Sequence, residues 1–264
     1  MIVGASVSLE KKIDQFDKRL EEIGIRLKDA DHFKVTEDVF DEVTLLALFK
    51  LVHKKWLSVM GGSISTGKEA NVFYGERDGA GIAIKIYRIR TANFTTMSSY
   101  IIGDRRFSRV KKSRKELVFA WTRKEFSNLA RARDAGIPVP EPLVWDRNIL
   151  IMSYLGQNEI PYPQLRNADI DDPVGIYETI LKYIDILYKN AKLVHGDLSE
   201  FNILYGDKPY IIDMGQSVTC DHPRAYQFLM RDISNINRFF KNRCDVRKEI
   251  EIFNSVTGLD TAEP

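Results

Sequence analysis

His195-Gly196-Asp197-Leu198-Ser199-Glu200-Phe201-Asn202 sets an aspartate five residues ahead of an asparagine, and Asp213 follows sixteen residues after Asp197 within Ile211-Ile212-Asp213-Met214-Gly215. Short apolar runs flank both stretches: Leu193–Val194, Ile203–Leu204–Tyr205 and Tyr210–Ile211–Ile212. Such runs read as strands, which leaves the polar residues at strand ends. Two carboxylates and an amide in this arrangement suit phosphoryl transfer from ATP. One carboxylate takes or orients the proton of the attacking hydroxyl, and the other joins the amide oxygen in holding Mg²⁺. Mn²⁺ is an alternative ion.

Upstream, Ile82-Ala83-Ile84-Lys85 reads as a strand ending in a lysine that would meet the α and β phosphates. That lysine needs a carboxylate to position it. A helix expected over about 115–135, stopped by Gly136 and Pro138, offers Glu125, with Glu116 as its competitor. The order I-A-I-K, H-G-D-x-x-x-x-N and D-x-G parallels the V-A-I-K, H-R-D-x-x-x-x-N and D-F-G set of protein kinases. Each piece alone is unremarkable: a plain strand, a satisfied loop, a turn. Their joint order predicts an α+β, two-lobed protein-kinase-like fold.

Gly62-Ser-Ile-Ser-Thr-Gly67-Lys68 matches G-x-x-x-x-G-K, yet the next residue is Glu69 where a P-loop needs Ser or Thr. A P-loop also opens a helix, whereas Asn71-Val72-Phe73-Tyr74 favours a strand. The P-loop reading is therefore rejected. What remains is a glycine-containing loop between strands whose N–H groups, with Ser65, Thr66 and Lys68, would cover phosphates.

The chain of 264 residues carries 39 basic and 37 acidic side chains, so a globally basic nucleic-acid binder is not indicated. Its two cysteines, Cys220 and Cys244, are too few for a zinc site and fit a reducing compartment. No apolar run is long enough for a membrane helix, and Met1–Gln15 lacks the pattern of a secretory signal; a cytoplasmic protein is expected. Residues 5–35 are highly charged, with Ile13, Phe16, Leu20 and Ile23 at helical spacing. A second helix is expected over 36–56, capped by Thr36, with a stripe that includes Val39, Val43, Leu46 and Ala47. Gly61–Gly62 reads as punctuation, and 75–81 as a turn. The polar stretch 88–115 reads as a loop; from Arg105 to Lys115 it holds seven basic residues and no acid, a solvated segment or a contact to RNA phosphates. Pro173 after Asp172 opens a helix whose face is Tyr177, Ile180, Leu181, Ile184, Leu187 and Tyr188. Asp221 with Pro223 reads as the cap of a final helical region. The expected division is a helical extension over 1–58, an N-terminal lobe over 59–152 and a C-terminal lobe over 153–264.

With Ser65-Thr-Gly-Lys-Glu-Ala-Asn71-Val, Lys124-Glu125-Phe126-x-Asn128-Leu129, His195-Gly-Asp-Leu-Ser-Glu-Phe-Asn202 and Ile211-Ile-Asp213 assembled, the chain resembles the RIO family of atypical protein kinases, and is most similar to its type 1 branch. The resemblance runs from about Phe33 to Phe240. It implies a kinase fold with a trimmed C-terminal lobe. In keeping with that, 51 residues follow Asp213 and no A-P-E segment is among them. It also implies that Lys85 meets phosphate, Asp197 is catalytic, and Asn202 and Asp213 bind Mg²⁺. Met152-Ser153-Tyr154-Leu155 would be the hinge, the Ser153 carbonyl and the Leu155 N–H holding adenine. The family's work in maturation of the small ribosomal subunit makes that precursor and its RNA the expected partners. Its description as ATPases passing through an aspartyl-phosphate would place that group on Asp213. Met214 departs from the usual tripeptide, and Gly196 stands where kinases with an activation loop carry Arg.

Four functions compete on the sequence. They are a Ser/Thr kinase that also phosphorylates itself (Ser108 is one acceptor), a ribosome-assembly ATPase, a small-molecule kinase of the aminoglycoside or choline type, and a nucleotide-binding scaffold. The short segment after Asp213 argues against the third, and the complete Lys85, Glu125, Asp197, Asn202, Asp213 set against the fourth.

Overall fold

The computed structural model describes residues 26–27, 39–90, 94–107 and 113–259. The helical spacing at Ile13, Phe16, Leu20 and Ile23, the cap at Thr36 and the acceptor Ser108 lie outside them, while Arg26–Leu27, inside the expected helical extension, form a strand. Two compact units make up the chain: Met1–Phe94 with Lys112–Thr122 and Pro142–Tyr154, and Thr95–Lys111 with Arg123–Glu141 and Leu155–Pro264.

The first unit is a six-stranded sheet. Its strands are β1 (Arg26–Leu27), β2 (Val59–Thr66), β3 (Ala70–Arg77), β4 (Ala80–Tyr87), β5 (Pro142–Asp146) and β6 (Ile149–Ser153), in the order β1-β2-β3-β4-β6-β5. All pairs are antiparallel except β1 with β2. Helix α1 (Glu42–His53) lies on one face. Period-two alternation turns Phe73, Ile82, Ile84 and Ile86 toward it, where they join Ala47, Leu48, Leu51, Ile149 and Ile151 in one core. Asp41 caps α1 by accepting from the Thr44 N–H at 2.9 Å, five residues after the expected cap. The buried stripe is Thr44, Ala47, Leu48 and Leu51, while Leu46 is exposed. Thr44 is buried because its hydroxyl accepts from the Asn148 amide at 2.8 Å, a partner no periodicity discloses.

Two turn readings change. Asp78 and Gly79 both have positive φ and close a two-residue β3–β4 hairpin, tighter than the expected 75–81 turn. Gly61, Gly62 and Gly75 are strand residues. A Cβ on Gly75 would meet Ile84 Cδ1 at 2.6 Å and the Val59 carbonyl at 2.9 Å, so glycine there permits close packing rather than a break.

The second unit is mostly helical, with helix α2 (Phe94–Ile101) followed by a 3₁₀ turn at Arg105–Phe107. The expected loop over 88–115 is therefore structured in part: Met97, Tyr100, Ile101 and Phe107 are buried, an apolar set too sparse for the period to declare itself. Helix α3 (Arg114–Asp134) contributes to both units. Helix α4 (Pro173–Lys189) starts on Asp172, which accepts from the Gly175 N–H at 2.9 Å, and it buries Tyr177, Ile180, Leu181, Ile184 and Leu187 as expected. Four short strands follow: β9 (Leu193–Val194) paired with β12 (Val218–Thr219), and β10 (Ile203–Tyr205) paired with β11 (Pro209–Ile211). A hairpin of β7 (Gly156–Gln157) and β8 (Ile160–Pro161) precedes them in the chain. The chain ends on α5 (Ala225–Phe240) and α6 (Glu249–Thr257). The N-cap of α5 is Arg224 rather than Asp221. Among the described residues no helix is long and apolar enough to cross a membrane.

Candidate active site

The loop 195–202 leaves β9 and enters β10; the loop 212–217 leaves β11 and enters β12. Because β9 pairs with β12 and β10 with β11, the two loops run side by side between two short ladders. Three hydrogen bonds tie them. The Ile212 N–H donates to the Asn202 carbonyl at 3.0 Å, His195 Nε2 lies 3.0 Å from the Ile212 carbonyl, and the Gln216 amide donates to Asp197 Oδ2 at 3.2 Å. Asn202 donates its amide to the Asp197 carbonyl at 2.8 Å and to Oδ2 at 3.3 Å. The structure thus brings Asp197, Asn202 and Asp213 together.

His195 is buried, and burial pushes its pKa down to about 4, so the ring is neutral. Its Nδ1 accepts from the Asp197 N–H at 3.3 Å, which assigns the ring proton to Nε2, donating to the Ile212 carbonyl. It acts as a neutral pin between the loops. Burial raises the Asp197 carboxyl above the ordinary carboxylate range. The Arg231 charge and the amides of Asn202 and Gln216 oppose that shift, while Asp213 adds to it. Asp213 is exposed and holds φ at +60°, a left-handed conformation that Asp tolerates better than most residues.

The loops are held from beneath. Asp232 on α5 is buried and accepts the Gly196 and Leu198 N–H groups at 2.8 Å each. Asn235, one turn on, donates to the Leu198 carbonyl at 3.1 Å. Arg231 donates to the Gly196 carbonyl. From α3, Lys124 donates to the carbonyls of Gly215 and Ser217. Asn128, one turn later, donates to Met214 and Ser217 at 2.9 Å each. Lys124 is fully buried, which pushes its pKa down to about 7 against the pull of Asp104. Sequence reasoning missed Asp232, Arg231, Lys124 and Gln216 as site residues. Only Asp232 left a local signal, an acid inside the apolar face Phe228, Leu229, Ile233 and Ile236.

The remaining expected residues are placed as follows. Ser65 and Thr66 end β2, and Lys68 sits in the turn before β3; all three are exposed. This turn runs into a strand, as the rejection of a P-loop requires. Lys85 lies on β4 opposite Val72 of β3 and Leu150 of β6, on the face away from α1, and is buried. Ser153 ends β6 opposite Ile82, and the Leu155 carbonyl accepts from the Tyr162 N–H at 3.0 Å. Glu125 on α3 is buried while Glu116 is exposed.

The donor set fits Mg²⁺. Asn202 spends its N–H groups on Asp197, which turns its amide oxygen the other way, and Asp213 offers an exposed carboxylate. Among the described residues no group of three or more His, Cys, Asp or Glu could hold a metal by itself. Two protein oxygens completed by phosphates and water is the usual manner of Mg²⁺ in nucleotide sites.

Residues 71–252 match the RIO domain model. The chain is 42% identical over 244 residues to the RIO-type serine/threonine-protein kinase Rio1 of Haloferax volcanii, covering 92% of this chain and 84% of that protein. It is 38% identical over 234 residues to Rio1 of Methanocaldococcus jannaschii, covering 87% and 79%. Against the human serine/threonine-protein kinase RIO1 it is 37% identical over 257 residues, covering 95% of this chain but 45% of the human protein. Among solved structures, the Rio2 kinase–ADP/Mg²⁺–phosphoaspartate complex from Chaetomium thermophilum superposes with a TM-score of 0.62 at 25% identity, covering 84% of this chain and 68% of that one. A kinase-like fold, a paired-loop site and these matches have one reading: the chain belongs to the RIO family of serine/threonine-protein kinases, in its type 1 branch.

Proposed function

We propose that the chain transfers the γ-phosphoryl group of ATP, with Mg²⁺, to serine or threonine hydroxyls, its own among them, during maturation of the small ribosomal subunit. The observation that carries the chemistry is the linked trio Asp197, Asn202 and Asp213. In this reading Asp197 accepts the proton of the attacking hydroxyl as its oxygen bonds to the γ-phosphorus, and the bridging P–O bond breaks to release ADP. Asn202 Oδ1 and the Asp213 carboxylate hold Mg²⁺, which neutralises charge on the phosphates. Lys85, positioned by Glu125, binds the α and β phosphates. Ser65, Thr66 and Lys68 cover the phosphates, and the Ser153 carbonyl and Leu155 N–H take adenine. The extension 1–58 and lobes 59–152 and 153–264 complete the reading. The partners, the small-subunit precursor and its RNA, and the cytoplasmic location rest on the family resemblance.

A second reading has its own motive in the phosphoaspartate of the Chaetomium Rio2 complex. The exposed Asp213 carboxylate would attack the γ-phosphorus, releasing ADP, and water would then hydrolyse the aspartyl-phosphate to free phosphate. The enzyme would be an assembly ATPase with little activity on peptides. The test uses γ-labelled ATP, Mg²⁺ and pure protein beside Asp197→Asn and Asp213→Asn. Stable label on Ser or Thr, absent from both variants, supports the kinase. Mostly free phosphate, with a trace of alkali-labile protein label lost in Asp213→Asn, supports the ATPase. Undiminished turnover in Asp197→Asn, where a loss of at least about 100-fold is expected, refutes the kinase reading.

A further inference from the structure

The segment 97–107 reads in the sequence as polar loop, yet Met97, Tyr100, Ile101, Asp104 and Phe107 within it are buried. Tyr100 stacks on Phe228 of α5, with ring centroids 5.0 Å apart and planes 21° apart. His222 Nε2 lies 3.1 Å from the Ile102 carbonyl. Gly103 has φ +101°, and a Cβ there would meet His222 Nε2 at 3.0 Å, so the bend tolerates only glycine. Arg123 covers the Phe107 ring at 5.0 Å.

Two side-chain relays leave this segment. In one, Arg231 donates through Nη2 both to the Tyr100 hydroxyl at 3.1 Å and to the Gly196 carbonyl, next to Asp197. In the other, buried Asp104 grips Arg106 through Nε at 3.0 Å and Nη2 at 2.7 Å. Arg106 Nη1 donates to Asn128 Oδ1 at 2.9 Å, and Asn128 donates on to the carbonyls of Met214 and Ser217. One relay ends beside the catalytic carboxylate and the other beside the metal ligand.

We propose that residues 97–107 are a brace for phosphoryl transfer, with Arg231 and Arg106 as positioning residues that hold the Asp197 and Asp213 loops in register. Gly196, with φ +81°, cannot itself carry a guanidinium; Arg231 delivers one to the same loop from α5. A fixed donor there holds the Gly196 carbonyl, next to Asp197 in the chain. The proposal rests on the phosphoryl-transfer reading for its kinetic consequence, but not for its structural one.

The test is a double-mutant cycle of Tyr100→Phe and Arg231→Gln in the full chain, with Arg231→Lys as a second variant, melts to verify folding, and hydrogen exchange at the 196–198 amides. Tyr100→Phe should lower kcat at least about 10-fold, as for loss of one hydrogen bond to a charged group, with KM for ATP unchanged. Arg231→Gln should lower kcat by about 100-fold, the scale of a small misplacement. Arg231→Lys, which keeps a donor for the Gly196 carbonyl, should recover part of kcat. Adding Tyr100→Phe to Arg231→Gln should cost nothing more, since both break one relay. Exchange at 196–198 should quicken in each variant. Additive losses, or a raised KM for ATP in place of a lowered kcat, overturn the brace. A wild type without ATP turnover sinks the phosphoryl-transfer reading instead, and unchanged exchange at 196–198 would then still overturn the brace.

Discussion

Replacing Asp232 with Asn should nearly silence the enzyme while leaving it folded. The carboxylate accepts two backbone N–H groups at 2.8 Å, one on each side of Asp197. An amide offers one oxygen, so one N–H keeps an acceptor and the other faces an NH₂. Losing that charged acceptor and stranding a buried donor costs about 2–4 kcal/mol. An opposing effect is of similar size. Burial pushes the Asp232 carboxyl from 3.8 up to about 7, and that displacement of three units corresponds to about 4 kcal/mol at neutral pH, which a neutral amide does not carry. The two nearly cancel, so stability should change by no more than about 2 kcal/mol and Tm by less than about 8 °C. Catalysis has no such compensation: the misplaced Asp197 should lower kcat by about 100-fold. The pH dependence follows from the sign. A carboxyl raised in the folded state favours folding while neutral, so that contribution is present below about pH 4 and is lost as pH rises to about 7. The stability of wild type minus that of the variant should therefore fall across this window and level above it. The difference is the quantity to read, because His195, lowered to about 4, gives both proteins a slope of opposite sign. Melts from pH 4 to 8 and γ-labelled ATP turnover check all three. A Tm loss beyond about 15 °C, or kcat within threefold of wild type, refutes the reasoning.

Two further outcomes are expected. Glu125→Gln should lower kcat/KM at least about tenfold while Glu116→Gln leaves it within twofold, because the proposed function gives the lysine's carboxylate to Glu125, which is buried where Glu116 is exposed; equal effects would transfer the role or remove it. Gly75→Ala should lower stability by about 1–3 kcal/mol and Tm by about 3–10 °C in a thermal melt, because the new methyl meets Ile84 and the rigid Val59 carbonyl; an unchanged Tm would show that β2 gives way freely.

Local pattern carried a large part of this molecule. The alternation of Ile82, Ile84 and Ile86, the Asp172–Pro173 start of α4 and the Asp197–Asn202 spacing are each set by neighbours a few residues apart, so they are readable without coordinates. Asp78-Gly79 was equally local and was passed over for a longer turn. The helix in 88–115 was passed over because its buried residues are few and its polar ones many. The supports of the site were a different matter. Lys124 looks like any lysine on a charged helix, yet it is buried on carbonyls 91 and 93 residues away. Gln216 reaches back 19 residues to Asp197, and Asp232 36 residues to Gly196. Hydrogen bonds to backbone carbonyls and N–H groups carry no residue code at the far end, so no spacing announces them. The chemistry-bearing groups were legible along the chain; what holds them in register came into view only when the fold closed those distances.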